Sequence, residues 1–419
     1  MKPKLLTTLR GYTSSQFRAD VLAGITVALI AIPLSLAIAI ASGANPAAGL
    51  VSAIIGGFLI SLLGGSKVQI GGPTGAFIVV VYGVIAAHGF AGLILATLMA
   101  GVILVLAGLL RLGNLIEHVP EPVVNGFTIG IAVIIASSQL KDLLGLDIQV
   151  VPAEFLPKIA ALWSARATLD TAALGTGLIA LALIIALRRL FPKLPGLIFA
   201  MAAVSLGVAV MHLPVETITS RFGTLPSHIP APVVPEISLA LLRELLPSAL
   251  VIAFLAAIES LLSAMVADRM IEGSHRPNAE VMAQGWANIA ASLFGGLPVT
   301  GAIARTATNV RAGGQTPVAG LVHAAVIFLI MLVAAPYAGY LAMPALAAIL
   351  LTTAWNMSEP HRWPQYWAAP MADRVLLLLT MVLTVLADLT TAIGVGVALG
   401  LALRLREKGL PPAPWSGRQ

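Results

Sequence analysis

The sequence predicts an all-α polytopic membrane protein with 14 transmembrane segments in a 7+7 inverted repeat, two of them half-helices that each follow a short antiparallel strand. Three observations carry that prediction. Charge is scarce: 24 Lys or Arg and 18 Asp or Glu make up 10% of 419 residues, against about 25% in a soluble domain. Apolar runs recur along the whole chain. One short motif, Thr-Gly-Ala, occurs at equivalent places in the two halves.

Composition excludes several classes at once. With 58% hydrophobic residues and a mean hydropathy of +0.98, the chain lacks the polar surface a soluble enzyme needs. A disordered chain and a protein reading nucleic acid through a basic face are excluded on the same ground. There is no Cys, so disulfides, thiolate metal sites and iron–sulfur clusters are excluded. The seven histidines, His88, His118, His212, His228, His275, His323 and His361, show no metal-ligand spacing. Neither His-Glu-x-x-His, a Walker A loop nor Gly-x-Ser-x-Gly is present, so no enzyme activity and no cofactor are expected.

A crossing helix needs about 20 mainly apolar residues. In chain order the runs are 20–41, 46–63, 74–87, 91–110, 122–139, 170–187, 195–211, 245–266, 278–294, 301–312, 316–334, 338–355, 373–387 and 389–405. The first carries Pro33 in mid-run, which predicts a break or kink, and it lacks a signal-peptide cleavage pattern. The runs 74–87 and 301–312 are too short to cross at about 1.5 Å per residue and read as half-helices. The last two runs are separated by Asp388 alone. Between the runs, 149–166 and the Pro-rich 226–235 read as outer connections. Residues 356–372, with Trp363, Tyr366 and Trp367, read as an amphipathic helix on the inner surface.

Cations set the orientation. Both termini are basic, which places both in the cytoplasm; the membrane is read as the inner (cytoplasmic) membrane of a bacterium. On that topology 17 cations lie inside and 5 outside. Lys67 and Arg305 belong to neither side and flank the two short helices. Asp268, Arg269 and Arg311 fall at the inner rim.

The repeat locates a candidate site. Thr74-Gly75-Ala76 and Thr300-Gly301-Ala302 stand 226 positions apart, each between the second and fourth run of its half. Seven runs per half is an odd number, so the copies enter the membrane from opposite sides, as in secondary transporters. Extended backbone at mid-membrane must pair or line a wet cavity, so Val68–Ile70 and Leu297–Val299 are expected to pair. Helices starting near Gly75 and Ala302 then aim free N–H groups, and roughly half a positive charge each, at one point. The candidate anion-binding residues are Gly75, Ala76, Phe77, Gly301, Ala302, Ile303 and Arg305, with Ser35 and Ile38 from the first run. The two glycines admit a ligand to the backbone without a Cβ in the way. Arg305 adds a full charge, costly at this depth without a function or partner. Phe77 and Ile38 form an apolar wall. Lys67, Gln69, Thr74 and Thr300 are further polar candidates. Glu259, read as the one acid well inside a run, falls at the repeat-related position of Pro33.

In combination these segments resemble the sulfate permease (SulP) family of anion transporters. The carrying residues are the Pro33 run, Gly72-Pro73-Thr74-Gly75, Glu259 through Asp268, Gly295 through Thr306, and Arg311-Ala-Gly-Gly314. The resemblance covers nearly the whole chain. It implies a fold shared with nucleobase permeases, a homodimer, and a core domain (20–110 and 245–334) that moves like an elevator against a gate domain (120–211 and 338–406). Residues 1–19 form the cytoplasmic N-terminus. It also implies a secondary active transporter of small anions, an inorganic oxyanion or a dicarboxylate. Family members carry a cytoplasmic STAS domain after the last span. Residues 407–419 are too few to fold as one, so the sequence reads as a member without it or as a truncated form.

In cyanobacterial bicarbonate transporters the residue at the place of Glu259 helps bind sodium. Ile303 stands where a hydroxyl would assist such a cation, so Glu259 reads as the proton-coupling residue, with H+ as the coupling ion. A static Glu259–Arg305 ion pair is the structural alternative. The functional alternatives are sodium-coupled symport or anion exchange, and an anion channel or non-transporting scaffold.

Overall fold

A computed structural model describes residues 2–116, 119–191, 195–387 and 389–406, and within them every apolar run becomes helix. After the short α1 (Lys4–Thr8) comes α2 (Ser14–Ala41), whose start is closed by a capping box. Gln16 N donates to Thr13 Oγ1 at 3.2 Å and Thr13 N donates to Gln16 Oε1 at 3.0 Å. α2 continues as one helix through Pro33, so the run is not broken there. Neighbours support it on both sides of that turn: a methyl group on Gly24 would lie 2.6 Å from Ala319 O, and one on Gly49 would lie 2.0 Å from Ser35 O. Backbone this tightly packed tolerates a proline inside a membrane helix.

The second run is α3 (Pro46–Val51), a π turn (Ser52–Gly56) and α4 (Gly57–Leu63). Ser52 Oγ donates to Ala48 O at 2.6 Å and accepts from Leu297 N at 2.6 Å, tying the π turn to the other half of the chain. Then come β1 (Gly71–Gly72), a 3-10 turn (Gly75–Phe77) and α5 (Ile78–Leu109). α5 joins the third and fourth runs across one non-helical residue, Gly89, at φ 67°. α6 (Gly113–Ile116), α7 (Glu121–Leu144), α8 (Phe155–Ser164), α9 (Thr171–Leu190), α10 (Gly196–Val210) and α11 (Ile218–Phe222) complete the first part. The second part holds α12 (Leu239–Ile271), α13 (Pro277–Leu293), β2 (Thr300–Gly301), α14 (Ile303–Arg311), α15 (Val318–Ala338), α16 (Met343–Met357), α17 (Trp363–Ala368), α18 (Met371–Leu386) and α19 (Leu389–Arg406).

Among the described residues, 7 helical stretches are long and apolar enough to cross a membrane. α10, α13, α16 and α18 have 15, 17, 15 and 16 residues and fall below that length. The predicted inner-surface helix at 356–372 is shorter than expected. A 3-10 turn at Pro360–Arg362 precedes the six-residue α17, because Pro360, Pro364 and Pro370 each remove a helical donor. Arg362 anchors this turn on Glu121 at 2.6 Å and Glu359 at 3.0 Å. The connection 149–166 contains α8. There Lys158 is buried 6.0 Å from the Tyr82 ring, and burial holds its ammonium below the ordinary pKa. His118, Lys193, Asp388 and the tail 407–419 lie outside the described residues.

Small residues let the helices approach closely, the membrane solution to packing without a hydrophobic drive between helices. α5 lies against α12 and α13, where a methyl on Gly101 would sit 2.8 Å from Gly285 O. α2 lies against α15. α7 lies against α16 and α18, with Gly126 facing Leu377 O at 2.5 Å from a would-be methyl.

Candidate anion-binding site between two helix starts

β1 and β2 pair antiparallel, Gly71 opposite Gly301 and Gly72 opposite Thr300. Ala302 N extends the ladder by donating to Ile70 O at 2.9 Å. The two extended pieces do meet, but slightly later in each copy than Val68–Ile70 and Leu297–Val299. The earlier residues bond sideways to side-chain amides instead. Asn309 Nδ2 donates to Val68 O at 2.8 Å, and Asn288 brackets Val299, accepting from its N at 2.9 Å and donating to its O at 2.8 Å. These amides satisfy buried backbone that has no strand partner.

Each strand hands over to a helix start that has no side-chain cap. Thr74 occupies the N-cap position of the Gly75–Phe77 turn, where a threonine ordinarily accepts from the next turn's N–H groups. Its Oγ1 instead donates to Glu259 Oε2 at 2.8 Å. Ala302, at the N-cap of α14, has no side-chain oxygen. First-turn donors are therefore left for a ligand at both starts. Arg305 links them from behind: its Nη2 donates to Pro73 O and Ser35 Oγ, both at 3.1 Å. The residue is 2% exposed, and Nε and Nη1 have no partner among the described residues. A buried guanidinium with unused donors provides positive potential and bonding capacity for a desolvated anion.

The structure brings most of the predicted residues together around this point. Gly75, Ala76, Phe77, Gly301, Ala302, Ser35 and Ile38 are buried, and Ile303 is 40% exposed. Gly75 faces α7 and α16: a methyl there would lie 3.2 Å from Met357 Sδ and 3.4 Å from Ile135 Cδ1. The glycines serve packing more than ligand access. A methyl on Gly301 would lie 1.9 Å from Gln69 Nε2. At Gly72 a methyl would lie 2.1 Å from Arg305 Nη1, and the residue has φ +152°. Gly72→Ala is therefore expected to lower stability by about 1–3 kcal/mol and to displace Arg305. A lower melting temperature together with a smaller anion-induced shift checks this.

Other candidates sit elsewhere. Gln69 Nε2 donates to Ser260 Oγ and Glu280 Oε1, both at 2.9 Å, and Thr300 Oγ1 donates to Ala256 O at 2.7 Å, so neither lines the site. Lys67 lies outside it, in the loop before β1. Glu259 and Arg305 form no ion pair among the described residues; each faces a different partner, Thr74 for one and Ser35 with Pro73 for the other. Asp268 accepts from His275 N and Nδ1, both at 2.7 Å.

Glu259 is not the one deep acid. It is partly buried, while Glu280 and Asp20 are fully buried. Glu280 Oε2 accepts from Gly65 N at 2.8 Å and Ser66 N at 3.1 Å. Its Oε1 accepts from Gln69 at 2.9 Å, Ser260 at 3.0 Å and Gln284 at 2.8 Å. Asp20 Oδ1 accepts from Gln315 N at 2.7 Å and Thr316 N at 3.1 Å. The signal for Glu280 was in the sequence: Glu280, Gln284, Asn288 and Ser292 recur every fourth residue and mark one buried polar stripe on α13. His323, fully buried on α15, carried no such pattern.

The sequence profile of the sulfate permease family matches residues 17–380. The Bacillus subtilis protein YvdB is 44% identical over 389 residues, 92% of this chain and 73% of that protein. The bicarbonate transporter BicA of Picosynechococcus sp. is 32% identical over 394 residues, 90% of this chain and 68% of that protein. The solved transmembrane domain of a cyanobacterial bicarbonate transporter BicA superposes with a TM-score of 0.83 at 30% identity, covering 91% of this chain and 99% of that domain.

Proposed function

The chain belongs to the sulfate permease family, whose members are membrane anion transporters and not enzymes, and on that premise we propose that it is a proton-coupled symporter of a small oxyanion or dicarboxylate. The observation that carries the reading is the convergence of two uncapped helix starts over the buried Arg305. The anion binds to the remaining first-turn N–H groups at Gly75–Ala76 and Ile303–Ala304, since Phe77 N and Ala302 N are taken by Thr74 O and Ile70 O, with Arg305 supplying the positive field and Phe77 and Ile38 the apolar wall. Bicarbonate is one candidate, by analogy with BicA.

Glu259 carries the proton. Its carboxylate is joined through Thr74 to the first helix start. Protonation removes a negative charge beside the anion and frees the Thr74 hydroxyl proton to face it, so proton and anion favour each other's binding. In this reading the chain is a 7+7 inverted repeat of fourteen segments, and residues 20–110 and 245–334 form a core that slides against a gate formed by 120–211 and 338–406. The sliding surface includes the contact of Gly75 with Ile135 and Met357. The transporter is a homodimer in the inner membrane, with both termini in the cytoplasm.

Liposome uptake of labelled sulfate, bicarbonate and dicarboxylates, with and without a proton gradient, tests the reading. Saturable uptake accelerated by an inward proton gradient is expected. In Glu259→Gln, anion binding is retained while gradient-driven uptake falls about tenfold or more. Unchanged gradient dependence in that variant, or acceleration by sodium alone, rejects proton coupling through Glu259.

A further inference from the structure

Away from the two helix starts, the end of the molecule that carries the N-terminus holds a polar cavity of about 440 Å³. Lys4, Arg10, Lys67 and Arg276 contribute to its lining together with Gln16 and Thr316, and no acid among the described residues lines it. Two of the four cations are held by contacts that bring no opposite charge. Lys4 Nζ donates to Ser274 O at 2.6 Å, and Arg276 Nη1 donates to Lys2 O at 2.7 Å. The backbone is pinned as well, with Lys4 N on Gly64 O at 2.8 Å and Arg276 N on Gly65 O at 3.0 Å.

Three carboxylates stand nearby, and each is engaged with other donors: Asp20 with Tyr12, Gln315 and Thr316, Asp268 with His275, and Glu280 with Gly65 and Ser66. Burial, then the charges of Arg276 and Lys67, hold the Lys4 ammonium below its ordinary pKa, while Asp268 opposes them. Like charges gathered around a concave polar wall raise the local potential for anions. Basic pockets at the membrane-facing ends of helices suit phosphate head groups in particular.

We propose that this cavity is a second anion site, separate from the transport site, that takes a phosphate-class anion, either a phospholipid head group or a free polyphosphate. A phosphate group, whose oxygens can each accept from a different cation, fits four cations better than a spherical halide does, and the Thr316 and Gln16 side chains add neutral polar contacts. The site bridges α1 to two loops: Lys67 just before β1, and Gln315–Thr316 just after α14. Occupancy therefore fastens the N-terminal segment to the loop that leads into the first helix start and to the connection that leaves α14.

The test uses the purified full chain and the double variant Arg10→Gln/Lys67→Gln, two side chains with no hydrogen bond among those described here. Pyrophosphate, compared with potassium chloride at equal ionic strength, is expected to raise the melting temperature of the unaltered protein in detergent by about 2–4 °C. The double variant loses that shift, and Arg305→Ala keeps it. In a second arm, nanodiscs of phosphatidylglycerol are compared with nanodiscs of phosphatidylcholine. Stabilisation by phosphatidylglycerol that vanishes in the double variant assigns the site to a lipid head group, and a pyrophosphate shift alone assigns it to a soluble anion. No shift in either arm overturns the proposal. So does a shift that survives in the double variant, or one that is lost only with Arg305.

Discussion

Arg305→Ala weakens anion binding about 10- to 100-fold, the loss expected when charge-assisted hydrogen bonds disappear. The effect should exceed the loss of folded protein. Arg305 contributes bonds from one nitrogen to Ser35 and Pro73, while Nε and Nη1 have no partner among the described residues. Removing the side chain forfeits two structural bonds but all of the local positive charge. Arg305→Lys should rescue only in part. One ammonium cannot hold Pro73 O and Ser35 Oγ and still present a planar pair of donors. Anion-induced thermal shift and folded yield, measured side by side, decide the matter. Equal loss of both would make Arg305 a packing residue.

Glu280→Leu has the largest expected effect on the fold. The carboxylate collects five donors in a fully buried setting: two backbone N–H groups, two side-chain amides and a serine hydroxyl. An orphaned buried donor costs about 1–3 kcal/mol, so several at once exceed what a marginally stable protein can lose. Little monodisperse protein should survive extraction. Glu280→Gln keeps an acceptor oxygen but turns an NH2 group toward the remaining donors, and an intermediate yield is expected. Monodisperse recovery by size-exclusion chromatography ranks the three. Normal recovery of Glu280→Leu would show that water or neighbouring groups replace the carboxylate.

Much of the site was legible because its signals are local. Thr-Gly-Ala after an extended segment marks a helix start wherever the chain goes, and Arg305 one turn later inherits its place from that start. The apolar runs locate α2, α7, α12 and α15 but not all of their ends: α12 spans Leu239–Ile271 against the run 245–266, and α2 begins at Ser14 against 20. What misled was partner choice. Glu259 and Arg305 were natural partners as the rare deep charges, yet Thr74 takes one and Pro73 with Ser35 the other. Gln69 and Thr300 looked like cavity residues, yet they turn into the polar stripe of α13 and the α12 backbone.

The sequence by itself determined the membrane class, the positions of the helices and the two convergent starts, since hydropathy, period and capping act within a few neighbouring residues. Only the tertiary structure decided which polar groups meet. The bond from Arg305 to Pro73 spans 232 positions and that from Gln69 to Glu280 spans 211. Such pairs depend on how each helix is rotated and how deeply it is packed, and in a low-dielectric interior the group that is reached first with good geometry takes the bond.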